Sequence, residues 1–179
     1  FLISIILIKG LNKNYGFGKH PDILINGSSM SLSGFNKNDI EKSTGKSIAT
    51  YSHEGVSVID RYAMIKHFFH LYPKGIQTVV YEINPIILSN VSSAENVYTL
   101  FYPYMDDKTI YNYIKERAGA REYYIHKIIR TKRFDARLIR SIIMGYLGKY
   151  ENLKTNSLDS PSLLPLIAKK GMTEIALEN

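Results

Sequence analysis

Three short stretches, "PDILING" (21–27), "SIATYSHEG" (47–55) and "QTVVYEINP" (77–85), constrain the fold of this chain more than any other feature. The first is an apolar run between Pro21 and Gly27. The second alternates Ile48, Thr50 and Ser52 against Ala49 and Tyr51, and the third is β-branched and stops at Pro85. Each reads as a strand. Helical segments lie between them. "NKNDIEKSTG" (36–45) is a short polar helix closed by Gly45. "SVIDRYAMIKHFFHLYP" (57–73) repeats Val58, Tyr62, Ile65, Phe69 and Tyr72 every three or four residues behind a Ser57/Asp60 capping box. Strands joined by helical crossovers of this length predict a parallel sheet with helices packed on it, an α/β fold. In such folds, sites gather beyond the carboxyl ends of the strands. Those ends are Gly27-Ser28-Ser29, His53-Glu54-Gly55 and Glu82-Ile83-Asn84.

The flanking segments differ in character. The opening "FLISIILIKGLNKNYGFGKHPD" starts with Phe rather than Met, so a processed or truncated chain is expected. Its eight apolar or small residues fall short of the ~20 that span a bilayer. Residues 1–20 therefore read either as a first buried strand plus linker or as the remnant of a membrane anchor. From about residue 93 the chain becomes tyrosine-rich and basic. Of a net charge of +7, residues 108–154 hold 12 Lys and Arg against 4 Asp and Glu, and the remainder hold 11 against 12. Asp107 is positioned to cap a helix over 108–117, and a longer helix is expected over 121–147. Residues 93–155 thus read as a helical insertion after the third strand, following a core over 21–92. Residues 156–179 read as loop.

The basic segment most simply forms a cap with solvated Lys and Arg and half-buried tyrosines. It is also suited to anionic lipid headgroups or an acidic polymer. Basic residues interleaved with aromatics fit nucleic acid too, but no nucleic-acid-binding pattern accompanies them. With no cysteine in the chain, disulfides, zinc-thiolate sites and a cysteine nucleophile are excluded. No cofactor or metal is expected. Gly16-Phe17-Gly18 precedes no clear helix, His67 and His70 read as helix-surface residues, and His20 and His126 belong to the linker and the basic helix.

Ser29 follows a strand and precedes a helix, a position where a hydroxyl projects from a tight turn and nearby N–H groups face a developing oxyanion. The order Gly27-Ser28-Ser29, Gly55, Asn84 resembles the SGNH (GDSL-type) hydrolase superfamily over roughly residues 20 to 90. The pattern "ILINGSSMS … YSHEGVSVIDRYAMIKHFFHLYPKGIQTVVYEINP" looks most like its membrane-anchored, extracytoplasmic branch, which modifies cell-surface polymers. The resemblance implies a three-layer α/β/α domain with a flavodoxin-like parallel sheet. It implies Ser29 as nucleophile, with Gly55 and Asn84 in the oxyanion hole and Ser28 in a supporting position. His53 is a further candidate for a supporting role on the same edge.

It further implies a serine esterase or acyltransferase of the cell envelope, membrane-anchored, acting on an acylated glycan or cell-wall polymer. Two departures stand out. The third block reads Glu82-Ile83-Asn84-Pro85, where the family has Gly-x-Asn-Asp, and the Asp-x-x-His that supplies the base occurs nowhere in the 179 residues. The chain is therefore expected to be the N-terminal half of a longer protein. The alternative is a non-catalytic scaffold of the same fold that binds a polymer or a partner protein.

Overall fold

The computed structural model describes residues 2–18, 20–83 and 97–148. Its sheet has three parallel strands, β1 (Ile23–Gly27), β2 (Ile48–Ser52) and β3 (Thr78–Tyr81), in the order β2-β1-β3. Ile23 lies opposite both Ile48 and Thr78, and Asn26 opposite both Tyr51 and Tyr81. Successive strand residues face opposite ways, and Leu24 and Ile25 are exposed by only 0% and 2%. Both faces of the central strand are therefore covered, as the apolar run "ILI" requires. The chain is α/β, as its strand spacing predicts.

The crossover from β1 to β2 contains α2 (Ser29–Gly34) and α3 (Lys37–Thr44). Asn36 caps α3 by accepting the Asn38 and Asp39 N–H groups, and Gly45 ends it in the left-handed conformation. The return from β2 to β3 is α4 (Val58–Leu71). The expected box forms at its start: Asp60 accepts the Ser57 N–H at 2.6 Å, and Ser57 Oγ accepts the Asp60 N–H at 3.3 Å. α2 was not foreseen, because six residues of "SMSLSG" carry no apolar period.

The opening segment forms a helix, α1 (Leu2–Tyr15), so the buried-strand reading of residues 1–20 is overturned. A run of eight apolar or small residues without periodicity suits either state, and packing decides the outcome. α1 lies against the last described helix, α7 (Ala136–Leu147), where two glycines meet. A Cβ on Gly145 would stand 2.1 Å from the Gly10 carbonyl oxygen. Tyr146 OH donates to the Ile6 carbonyl at 2.7 Å. Leu11 and Tyr15 enter the core while Leu2, Ile3, Ile5 and Ile6 stay exposed. Beyond α1, Gly16 takes φ +80°, and a Cβ there would meet the Ile48 carbonyl oxygen at 2.3 Å. No described helix is long and apolar enough to cross a membrane.

The second half contains a 3-10 helix (Val97–Tyr104), α5 (Lys108–Arg117), α6 (Ala120–Ile128), a short 3-10 turn (Arg130–Arg133) and α7. Asp107 caps α5 as expected, accepting the Thr109 N–H at 2.8 Å. The single helix expected over 121–147 is broken in two. Arg133, 2% exposed, donates to the carbonyls of His126 and Lys127 at the end of α6 and to the Asp106 carboxylate. Asp135 then caps α7 through the Leu138 N–H at 2.9 Å. Phe101, Tyr104, Ile110 and Ile114 share one apolar cluster with Leu24, Met64 and Phe68, so this segment completes the core of the sheet. Tyr102, Tyr104, Tyr113 and Tyr123 are buried rather than half-buried.

Glycine-to-alanine changes test the helix crossing. In an open helix the change stabilises by a few tenths to about 1 kcal/mol. Gly34→Ala, with nothing within 4 Å of its added Cβ, is expected to follow that sign. Gly145→Ala is expected to reverse it and cost about 1–3 kcal/mol by overpacking, read from urea unfolding midpoints.

Candidate functional site

At the carboxyl end of β1 the chain turns sharply into α2. The side chain that organises this turn comes from β3. The Glu82 N–H donates to the Asn26 carbonyl at 3.0 Å, extending the β1–β3 ladder by one residue and setting the carboxylate over the turn. Oε2 accepts the Ser28 N–H at 2.8 Å, the Ser31 N–H at 3.0 Å and the Ser31 hydroxyl at 2.6 Å. Oε1 accepts the Ser28 hydroxyl at 2.6 Å. This contact explains the glycine before the serines. A Cβ on Gly27 would lie 1.8 Å from Ser31 Oγ and 2.4 Å from Glu82 Oε2.

A second buried group supports the same edge from α4. Arg61 is fully buried, and its Nη2 donates to the carbonyls of Asn26, at 3.1 Å, and of Glu82. Its Nε donates to Asn26 Oδ1 at 3.4 Å, and its guanidinium lies 3.9 Å from the Tyr81 ring centroid. Asn26 in turn donates its side-chain N–H to the Tyr51 carbonyl at 2.9 Å. Arg61 Nη1 has no hydrogen-bond partner among the described residues.

The residues singled out from sequence sit around this clamp. Ser28 caps α2 and is bound to Glu82. Ser29, the first residue of α2, is exposed, and its side chain makes no hydrogen bond among the described residues. His53 follows β2, and its N–H donates to the Gly27 carbonyl at 3.4 Å, which joins the carboxyl ends of β1 and β2. Its Nε2 is 2.8 Å from Tyr15 OH. Burial, assisted by the Arg137 charge, pushes His53 down to about 4. Glu54 is exposed, and Gly55 occupies the turn before α4 with φ +71°. Asn84 lies outside the described residues. Among those described, no three side chains of the metal-ligating types gather.

Ser31, Arg61 and Asn26 escaped the sequence reading, and Glu82 was met there only as a strand-end residue and a departure from the family's third block. The sign for Glu82 was available: a carboxylate one residue past a strand faces a turn with three serines at 28, 29 and 31. No comparable sign marks Arg61, whose helix face is defined only once α4 packs on β1.

His67 is not a helix-surface residue. It is 1% exposed, with Nδ1 at 3.1 Å from Tyr51 OH and its ring 4.4 Å from that of Tyr104. The Tyr62/Ile65/Phe69 stripe used to place it is not the buried face, which runs through Ala63, Met64, His67 and Phe68. His70 is the exposed one, with Nδ1 at 2.5 Å from Asp107. Burial depresses the His67 pKa from 6.5 to about 4, with a smaller opposing effect of Asp107. The fold therefore favours neutral His67, and its contribution is complete above 6.5 and fades as pH falls toward 4. The urea midpoint is expected to fall across that window, with His67 supplying about 3 kcal/mol of the loss. His67→Gln is expected to flatten the profile in part, the remaining slope belonging to His53, which burial holds at about 4 as well.

Removing the clamp gives a second test. Glu82→Ala leaves four donors of the Ser28–Ser31 turn without their acceptor. A stability loss of about 1.5–3 kcal/mol is expected in urea unfolding. Ser29→Ala is expected to change stability by less than about 0.5 kcal/mol.

Comparison with family models, with curated proteins and with solved structures gives no match for this chain.

Proposed function

We propose that the chain is an SGNH-like three-layer α/β/α domain that performs acyl transfer through Ser29. One observation carries the reading. In the turn after the central parallel strand, Ser28 and Ser31 are both held by Glu82, while Ser29 alone keeps an exposed, uncommitted hydroxyl. Ser29 Oγ attacks the carbonyl carbon of an ester, its proton passes to a base, and the carbonyl oxygen becomes an oxyanion. N–H groups of Ser29 and Gly55 and the Asn84 amide are the donors that the resemblance assigns to that oxyanion. The alcohol leaves with a proton, and water or an acceptor hydroxyl then takes the acyl group from Ser29.

His53 is a poor base for this reaction. It is bonded to Tyr15 and its affinity for a proton is low, at about 4. The reaction therefore relies on the Asp-x-x-His of the resemblance, which these residues do not contain. An acyl ester on a cell-surface glycan or polymer, outside the cytoplasm and near a membrane, remains the substrate setting that the resemblance suggests.

Glu82 favours a second reading. It stands where the family has glycine and fills the turn with a carboxylate, which suits a non-catalytic scaffold as well as an enzyme. A fluorophosphonate probe on the full-length protein separates the two. Labelling that disappears in Ser29→Ala and persists in Ser28→Ala is expected for the acyl-transfer reading. Absence of labelling in the parent supports the scaffold, and labelling that survives Ser29→Ala removes Ser29 from the nucleophile position.

A further inference from the structure

α6 ends on two adjacent isoleucines, and its last turn is fixed from the inside. Arg133, itself buried, donates to the carbonyls of His126 and Lys127 at 2.8 and 3.4 Å. The His126 ring stacks on Tyr102 with 3.9 Å between centroids. The outer side chains of this turn nonetheless face water. Ile128 is the most exposed large apolar side chain among the described residues, at 78%, and Ile129 beside it is exposed by 43%. Tyr124, one turn earlier on the same helix face as Ile128, is exposed by 58%.

The charge around this tip is positive after every neighbouring carboxylate is counted. Residues 121–133 carry five cations and Glu122, and Asp106 supplies a second carboxylate by pairing with Arg130 and Arg133, which leaves +3. Glu122 accepts from the Tyr98 hydroxyl at 3.1 Å. α5, packed against α6, adds Lys115 and Arg117 against Glu116. The remaining cations, Arg121, Lys127 and Lys132, are exposed. Arg121 shares the face of Tyr124 and Ile128, while Lys127 and Lys132 flank the isoleucines in the chain.

Scattered apolar side chains on a surface need no explanation, but a cluster with a polar rim marks a contact. A nucleic acid or an acidic polymer uses the cations and gains nothing from two aliphatic side chains, which give bases no ring to stack on. A hydrocarbon layer beneath anionic headgroups uses both. We propose that the end of α6 docks on an anionic phospholipid surface, with Tyr124, Ile128 and Ile129 entering the boundary between headgroups and acyl chains. Arg121, Lys127 and Lys132 then lie against the lipid phosphates. Ser29 takes no part, so the inference stands whether or not the acyl-transfer reading does.

The chain contains no tryptophan, so Ile128→Trp supplies a single fluorescent reporter. Its emission is expected to shift to the blue with vesicles of phosphatidylcholine and phosphatidylglycerol, and less with phosphatidylcholine alone. Ile59→Trp puts the same reporter at an exposed position on α4, where no shift is expected. In vesicle sedimentation of the full chain, Ile128→Ser/Ile129→Ser is expected to weaken binding about tenfold or more. Arg121→Gln/Lys132→Gln is expected to do the same. Lys42→Gln/Lys66→Gln removes equal charge from exposed positions on α3 and α4 and is expected to bind like the parent, as is Ser29→Ala. All these positions are exposed, so urea midpoints are expected to stay close to the parent's. The proposal is overturned by an unshifted Ile128→Trp, by an equal shift in Ile59→Trp or with phosphatidylcholine alone, or by equal losses in the two charge variants. Undiminished binding of Ile128→Ser/Ile129→Ser overturns it too, and assigns the cations to an acidic polymer or a nucleic acid.

Discussion

The Glu82 carboxylate is the contact on which the carboxyl edge of this sheet depends. Parallel strands meet only through their ladders, and the loops that follow them are free to diverge. Here a side chain from the third strand receives four hydrogen bonds from the loop that follows the first. The turn is therefore referenced to two strands at once. Its amino-acid requirements follow directly: a residue without Cβ at 27, hydroxyls at 28 and 31, and freedom of choice at 29. A position released from structural duty inside a rigid turn is where a reactive group is held in place at little cost to stability.

α4 joins this edge to the rest of the molecule. Its first turn holds two adjacent buried polar residues with opposite duties. Asp60 closes the capping box and accepts from the buried Tyr113 hydroxyl of α5, while Arg61 ties the carbonyls of Asn26 and Glu82. Neither charge is left without hydrogen bonds, which makes their burial tolerable. The same turn of helix thus fixes the sheet on one side and the tyrosine-rich half on the other.

The three strands, α3, α4 and the Asp107 and Ser57 caps were legible in the sequence because each depends on neighbours in the chain. What was not legible depends on distant partners. Leu2–Tyr15 is a helix because Gly10 and Gly145 permit a close crossing more than a hundred residues apart in sequence. The break near 130 follows from Arg133 turning back to cap α6 and bond Asp106. His67 was placed on the helix surface while the apolar stripe expected to be buried on α4 is itself largely exposed, including Val58 and Tyr62. Within the candidate site, the Ser28-Ser29 turn and His53 were found from position. Glu82 was seen only as a departure from a pattern, and its role needed the β1–β3 register to become visible.

The approach of Gly16 to Ile48 has a consequence for how this sheet can be extended. The outer margin of β2 is stopped at Ile48 and Ala49 by the end of α1, closely enough that even a methyl group would collide. The outer margin of β3 has no such stop among the described residues, and Val79 and Tyr81 are exposed by 41% and 37%. Strand addition is thereby given a direction. Among the described residues the β3 flank is the one open to a further strand, and the β2 flank is obstructed at Ile48 and Ala49.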